Sequence, residues 1–314
     1  MKLAVEAHGL SKSYRALRAV DGLELEVPAG IVLGFLGPNG AGKTTAIRML
    51  TTVLPPSAGT FSVAGVPSSR PEEIRRRIGV LPESAGYPER QTGAEFLRYH
   101  ARLFGESRAS AQERAESLLR EVGLGERGAT LVGGYSRGMR QRLGIARALV
   151  NNPEVVFLDE PTLGLDPAGQ RQMLELIRSI AGERGATVLL STHLLAEVEE
   201  VCSSVVILNQ GKVVAEGTVA EVARRAAAPR RARVRIPPQL MQAALASLAN
   251  GGDFASSELR PGELEVTWPG EADPESMSTE ALRRLVEAHV PVVGYELEGG
   301  RLSDAFLAMT GAAE

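Results

Sequence analysis

Across 314 residues the chain carries a net charge of −3, 44% hydrophobic residues and 4% aromatic ones, which supports one large core and a second, smaller one. A charge balance this even, with so few rings, argues against nucleic acid as a partner, since such a surface needs a basic footprint and stacking side chains. The single cysteine, Cys202, excludes a disulfide framework, fits a reducing compartment and reads as a small buried hydrophobe; neither a leader-peptide pattern nor an apolar run of about 18 residues is found, so any membrane role needs a partner chain.

Residues 2–7 and 23–27 alternate apolar and polar side chains, as half-buried antiparallel strands do, and are expected to form a sheet edge ahead of the core. Between them, residues 11–14 read as a loop in which Tyr14 either stacks on a purine face or simply packs. The apolar run 31–36 reads as a strand and leads into Gly37, Pro38, Asn39, Gly40, Ala41, Gly42, Lys43, Thr44 and Thr45, which match G-x-x-x-x-G-K-[ST]. Glycines in this pattern let successive backbone N–H groups aim at phosphate oxygens where a helix opens near Lys43. Lys43 is then placed for the β- and γ-phosphates, and the Thr44 hydroxyl for Mg²⁺. A turn cluster follows at 55–59, with short strands expected at 61–65 and at 78–81, the second ending at Pro82 and Glu83.

From residue 92 to about 152 the period turns helical, which predicts a helical insertion in the sheet domain. Near its end Ser136 and Gly138 precede a helix; a serine N-cap accounts for the stretch by itself, and the N–H groups there also suit a phosphate. Next, four apolar residues at 155–158 end in Asp159 and Glu160, the pattern of a central parallel strand that delivers carboxylates to a site at its C-terminal end. Asp159 is expected to act on Mg²⁺ and Glu160 to orient or deprotonate an attacking water, against the plainer reading of a solvated strand end. A further buried strand at 187–190 leads through Ser191 and Thr192 to His193, which the same geometry places for the γ-phosphate.

In this order, the motifs resemble those of the nucleotide-binding subunits of ATP-binding cassette (ABC) transporters, over residues 1–225. Gly37 to Thr45 resembles the family's Walker A loop, Asp159 with Glu160 its Walker B pair, His193 its switch histidine and Tyr14 its adenine-stacking aromatic. Gly164, Leu165 and Asp166 resemble the D-loop, which in the family crosses the dimer interface. Residues 135–139 stand in place of the L-S-G-G-Q signature: Tyr135, Arg137 and Met139 depart from it, Ser136 and Gly138 remain, and the form Y-S-x-G-M-R-Q-R resembles ATPases of ABC-2-type exporters.

The resemblance implies ATP and Mg²⁺ as cofactors and an α/β P-loop NTPase fold whose mixed sheet has an antiparallel edge. It also implies a head-to-tail homodimer or heterodimer of ATPase subunits, in which Ser136 and Gly138 of one subunit cap the γ-phosphate held by the other. The expected protein is an ATP-hydrolysing subunit, cytoplasmic and peripheral on the inner face of the cell membrane, bound to a polytopic permease. Glu83 stands where many relatives carry the Q-loop glutamine, and it is either an Mg²⁺ ligand or a solvent-facing side chain. A non-transport ABC ATPase is the rival within the family, although neither tandem cassettes nor a long coiled-coil insertion is found. A P-loop small-molecule kinase would lack the segment 135–139 and a catalytic Glu160.

Residues 226–314 are expected to form a separate accessory domain. Prolines 229, 237 and 238 bracket a basic run at 230–235 whose Arg/apolar alternation suits an edge strand, with an anionic-lipid contact as the alternative. The order that follows is helix (239–249), strand (254–259), strand (263–268), helix (278–289) and strand (291–297), a βαββαβ pattern that suggests a ferredoxin-like unit with a last helix at 302–309. It carries no catalytic cluster, which points to a regulatory or dimer-stabilising role.

Overall fold

The computed structural model describes residues 2–15, 17–225, 231–249, 252–269, 272–298 and 302–310. Backbone proximity divides the chain into two units, Met1–Val219 and Ala220–Glu314. The first contains, in order, β1 (Leu3–Tyr14), β2 (Leu17–Pro28), β3 (Val32–Leu36), α1 (Lys43–Leu50), β4 (Ala58–Val63), β5 (Val66–Pro67), α2 (Pro71–Arg77), β6 (Ile78–Leu81), α3 (Gly93–Leu103), α4 (Arg108–Glu121), α5 (Arg137–Ala148), β7 (Val155–Asp159), α6 (Pro167–Gly182), β8 (Thr187–Thr192), α7 (Leu195–Val201), β9 (Ser204–Asn209) and β10 (Lys212–Thr218).

A six-stranded sheet of order β10-β9-β3-β8-β7-β6 forms the centre of this unit. Its β9, β3, β8, β7 and β6 run parallel, and β10 adds antiparallel to β9. Strands β3, β7 and β8 are buried at every position, because apolar cores cover both faces. Leu33, Phe35, Val155, Phe157 and Leu189 enter one core with Ile47 and Met49 of α1 and with the β1/β2 ribbon. Their alternates Val156, Leu158, Val188 and Leu190 face the other, with Leu97, Leu118, Leu143 and Ile177 of α3 to α6.

Two expectations need correction here. The ribbon β1/β2 is not the edge of the mixed sheet; with β4 and β5 it builds its own antiparallel sheet of order β2-β1-β4-β5, and the antiparallel edge of the large sheet is β10. Residues 11–14 are not a loop either. Strand β1 continues through Tyr14, which pairs with Leu17, and a series of register shifts lets its polar end stay on the ladder.

The helical segment 92–152 resolves into α3, α4 and α5, each with a local start signal. Thr92 and Glu95 form a reciprocal capping box, and Ser107 and Ser136 cap α4 and α5. Cys202 follows α7 and packs against the helical-side core, and burial pushes its thiol up to about 12, so it behaves as a small hydrophobe. Among the described residues no helix is long and apolar enough to cross a membrane.

The second unit takes in most of α8 (Val219–Arg225), then β11 (Arg231–Arg235), α9 (Met241–Ala249), β12 (Ala255–Arg260), β13 (Glu263–Thr267), α10 (Pro274–Glu287), β14 (Gly294–Glu298) and α11 (Leu302–Thr310). Its sheet is antiparallel throughout, of order β12-β13-β11-β14, with Ala232, Val234, Leu264 and Val266 packed under α9 and α10. The expected edge strand is therefore interior. An arginine row is tolerated there because glutamates stand on both flanks: Arg233 faces Glu265 on β13 and Glu296 on β14. The first residue of that basic run, Arg230, and the proposed start of the domain at residue 226 lie outside the described residues. Helix α10 starts ahead of the expected position, at Pro274, since Asp273 caps it by accepting from the Ser276 amide at 2.9 Å.

Candidate functional site

The loop after β3 is held open by its own backbone. Gly42 has φ of +106°, a conformation a side chain resists, and a Cβ there would drive into the Ala19 carbonyl oxygen of β2. The helix α1 opens at the next residue, so its first N–H groups face the loop interior. Lys43 is 6% exposed, and its Nζ donates to the carbonyl oxygens of Gly37 at 2.7 Å and Pro38 at 3.3 Å. Burial pulls its pKa down, and the charges of Glu160, Asp159 and Glu83 oppose that pull.

Strand β7 delivers the acids across from this loop. The Thr44 hydroxyl donates to Asp159 Oδ1 at 3.3 Å, joining α1 to the strand end. Glu160 then leaves the strand with φ of +51°, a left-handed conformation uncommon for a side chain of this size, while its N–H donates to Ser191 O of β8 at 2.9 Å. That turn sends the carboxylate back over the loop. Its Oε1 lies 3.8 Å from Lys43 Nζ, and its Oε2 lies 2.9 Å from His193 Nδ1. Burial raises the Glu160 pKa, with His193 and then Lys43 acting against the rise. His193 is in turn placed by its neighbours: buried Thr192 donates through Oγ1 to Glu197 Oε2 at 2.7 Å and accepts from the Leu194 amide at 3.1 Å. This Thr192–Glu197 pair went unread in the sequence, and its only signal was a glutamate one helical turn after the histidine.

A cavity of about 520 Å³ brings Lys43, Thr44, Glu160 and His193 together, with Asp159 behind Thr44 and outside its lining. Tyr14, residues 39–45, Glu83, Glu160 and His193 all line it, as do Leu17, Ala19 and Leu163, which sequence reading passed over. Tyr14 stands 43% exposed at its edge, with Lys12 Nζ 5.6 Å from the ring centre, so it is not a core residue. Gly37 and Pro38 contribute the carbonyls that hold Lys43. Ser136 and Gly138 lie outside the residues lining the cavity; Ser136 Oγ accepts from the Met139 amide at 3.2 Å, the N-cap of α5. The oxygen donors of Thr44, Asp159 and Glu83 suit a small hard cation such as Mg²⁺, which is bound through one or two carboxylates and keeps water and phosphate oxygens in the rest of its shell. Glu83 is exposed and faces the cavity.

The sequence profile of the family described as "ABC transporter" matches residues 20–163. The chain is 40% identical, over 98% of its length and 92% of the relative's, to the daunorubicin/doxorubicin resistance ATP-binding protein DrrA of Streptomyces peucetius. It is 42% identical to the bacitracin transport ATP-binding protein BcrA of Bacillus licheniformis, over 69% of this chain and 70% of that one. Among solved structures, an ATP-binding subunit of an ABC transporter superposes with a TM-score of 0.64 at 35% identity, covering 71% of this chain and 92% of that one. A dimeric ATP-binding cassette in a post-hydrolysis state with ADP and Pi gives a TM-score of 0.63 at 25% identity, covering 68% and 98%.

Proposed function

Because the chain belongs to the ATP-binding subunits of ABC transporters, we propose that it drives an exporter of the ABC-2 type through a separate polytopic permease, from the cytoplasmic face of the membrane. The observation that carries the catalytic part of this reading is the Glu160 carboxylate set between Lys43 and His193 at the mouth of the phosphate loop. Resistance and bacitracin transport in the relatives' names support drug or antibiotic molecules as the cargo class.

On this reading Lys43 gives up the Gly37 and Pro38 carbonyls for the β- and γ-phosphates of ATP, while the loop amides and the start of α1 take the remaining phosphate oxygens. Glu160 orients the attacking water and accepts its proton; the raised pKa brings it closer to the working pH of a general base. His193 holds Glu160 in place and faces the γ-phosphate. Mg²⁺, when bound, neutralises phosphate charge, and Thr44, Asp159 and Glu83 would hold it. Tyr14 offers its ring to the adenine. Ser136 and Gly138, away from their own subunit's cavity, belong to a second subunit's ATP in a head-to-tail dimer, either homodimeric or heterodimeric; a similar cassette with ADP and Pi is dimeric.

Residues 226–314 form an accessory domain with no part in hydrolysis. The strand order β12-β13-β11-β14 with two helices on one face supports a ferredoxin-like fold for it.

The experiment is the Glu160→Gln variant. It should keep ATP affinity, lose turnover by about a thousandfold and accumulate an ATP-bound dimer on a sizing column. Turnover at the wild-type rate would remove Glu160 from the mechanism, and copurification with no polytopic membrane protein would remove the transport assignment.

A further inference from the structure

The loop from Glu160 to Asp166 leaves β7 and enters α6, where Asp166 Oδ1 accepts from the Gly169 amide at 3.1 Å. Gly164, inside this loop, has φ of +72° and lies at the surface, as does Arg137. A Cβ placed there would fall 2.6 Å from the guanidinium carbon of Arg137, 2.7 Å from its Nη1 and 2.9 Å from its Nε. Three guanidinium atoms at nearly one distance mean that the flat face of the group lies on Gly164. The neighbouring contact has the same sense: Leu165 Cδ2 is 3.6 Å from the position a Cβ would take on Gly138, and Leu165 itself packs against the helical-side core.

Arg137 is the first residue of α5, and helix stability does not account for it. A cation in the first turn opposes the helix dipole. Among the described residues its side chain makes no hydrogen bond or ion pair, so its fit on Gly164 is the contact that distinguishes it. A planar, weakly hydrated guanidinium is suited to such stacking, and a lysine is not. Glycine at 164 meets two needs together, the left-handed backbone and the room for Arg137.

We propose that Arg137 is a positioning residue that clamps the 160–166 loop to the N-terminus of α5, so that the two segments meet a second copy of the chain as one surface. The inference rests on the dimer reading given above, in which both segments face the partner.

Two readouts separate the clamp from the dimer reading. Hydrogen exchange in the nucleotide-free chain should speed up about tenfold at the amides of residues 163–165 in Arg137→Ala, less in Arg137→Lys, with α5 unaffected beyond its first turn. A double-mutant cycle with Gly164→Ala isolates the contact, since the backbone strain of alanine is common to both backgrounds. The cost of Gly164→Ala in exchange protection should be several-fold smaller when Arg137 is already alanine. In the Glu160→Gln background, Arg137→Ala should raise the dimer dissociation constant with ATP about tenfold by sedimentation, with the monomer's ATP affinity unchanged. Unchanged exchange at 163–165, or additivity in the cycle, overturns the clamp. Faster exchange with unchanged dimerisation overturns its role toward the second copy. If the Glu160→Gln parent itself fails to dimerise with ATP, the dimer reading falls and with it that role, while the exchange cycle still decides the clamp.

Discussion

Glu160 and Glu263 are both buried carboxylates, 8% and 4% exposed, yet their surroundings differ in kind. Glu263, in the terminal unit, lies 3.3 Å from Arg233 Nε and pairs again with Arg260, so two permanent cations face one acid. Glu160 has a lysine at 3.8 Å that is itself buried, and a histidine that carries charge only when protonated. Burial therefore outweighs its partners and raises its pKa. Full compensation makes a carboxylate a structural fixture. Partial compensation leaves proton affinity to spare, which is what a general base needs. The contrast extends along each unit: Arg283 and Arg284 hold half-buried Glu280 down at about 2, whereas around the cavity Lys43 is pulled down by desolvation.

The largest effect should come from breaking the undercompensated side. Lys43→Ala removes the cation that the loop carbonyls hold for phosphate, and calorimetry should show ATP bound about a hundredfold more weakly, or ~3 kcal/mol. Unchanged affinity would mean that the loop amides alone bind the triphosphate. A middle-sized effect sharpens the contrast through pH. Glu160 must be ionised to act as base, so activity falls on the acid side as the coupled group gains its proton. His193 is the largest influence holding that pKa down against burial. In His193→Ala the pKa rises further, so the acid limb of the pH–rate profile should move to higher pH, and the plateau should drop about tenfold. A limb that stays in place would show that the proton sits elsewhere.

The smallest effect lies on the compensated side. Glu263→Gln leaves Arg233 and Arg260 facing a neutral amide, but both arginines reach solvent, so the cost should be only ~1 kcal/mol in urea unfolding of the terminal unit. ATP affinity should not change. A change in affinity would tie the terminal sheet to the nucleotide site and end the comparison.

What could be read before folding is what a contiguous stretch decides by itself. The spacing of Gly37 to Thr45, the unbroken apolar run of β3 and the acids at the end of β7 need only strand–loop–helix geometry, and the cavity is lined by loop residues 39–45 and by Glu160. The serine before α5 and the capping pair at the start of α3 act within one turn. The remainder depends on which strands become neighbours, and a two-residue side-chain period sets faces but not partners. Thus the arginine alternation of β11 was legible while its interior place was not, because that place is decided by glutamates on β13 and β14. In the same way the left-handed turn at Glu160, the Ala19 carbonyl that demands glycine at 42 and the fit of Arg137 on Gly164 join residues whose local patterns carry no trace of one another. Packing alone brought them together, since each contact is set by the closure of the cores on either side of the central sheet.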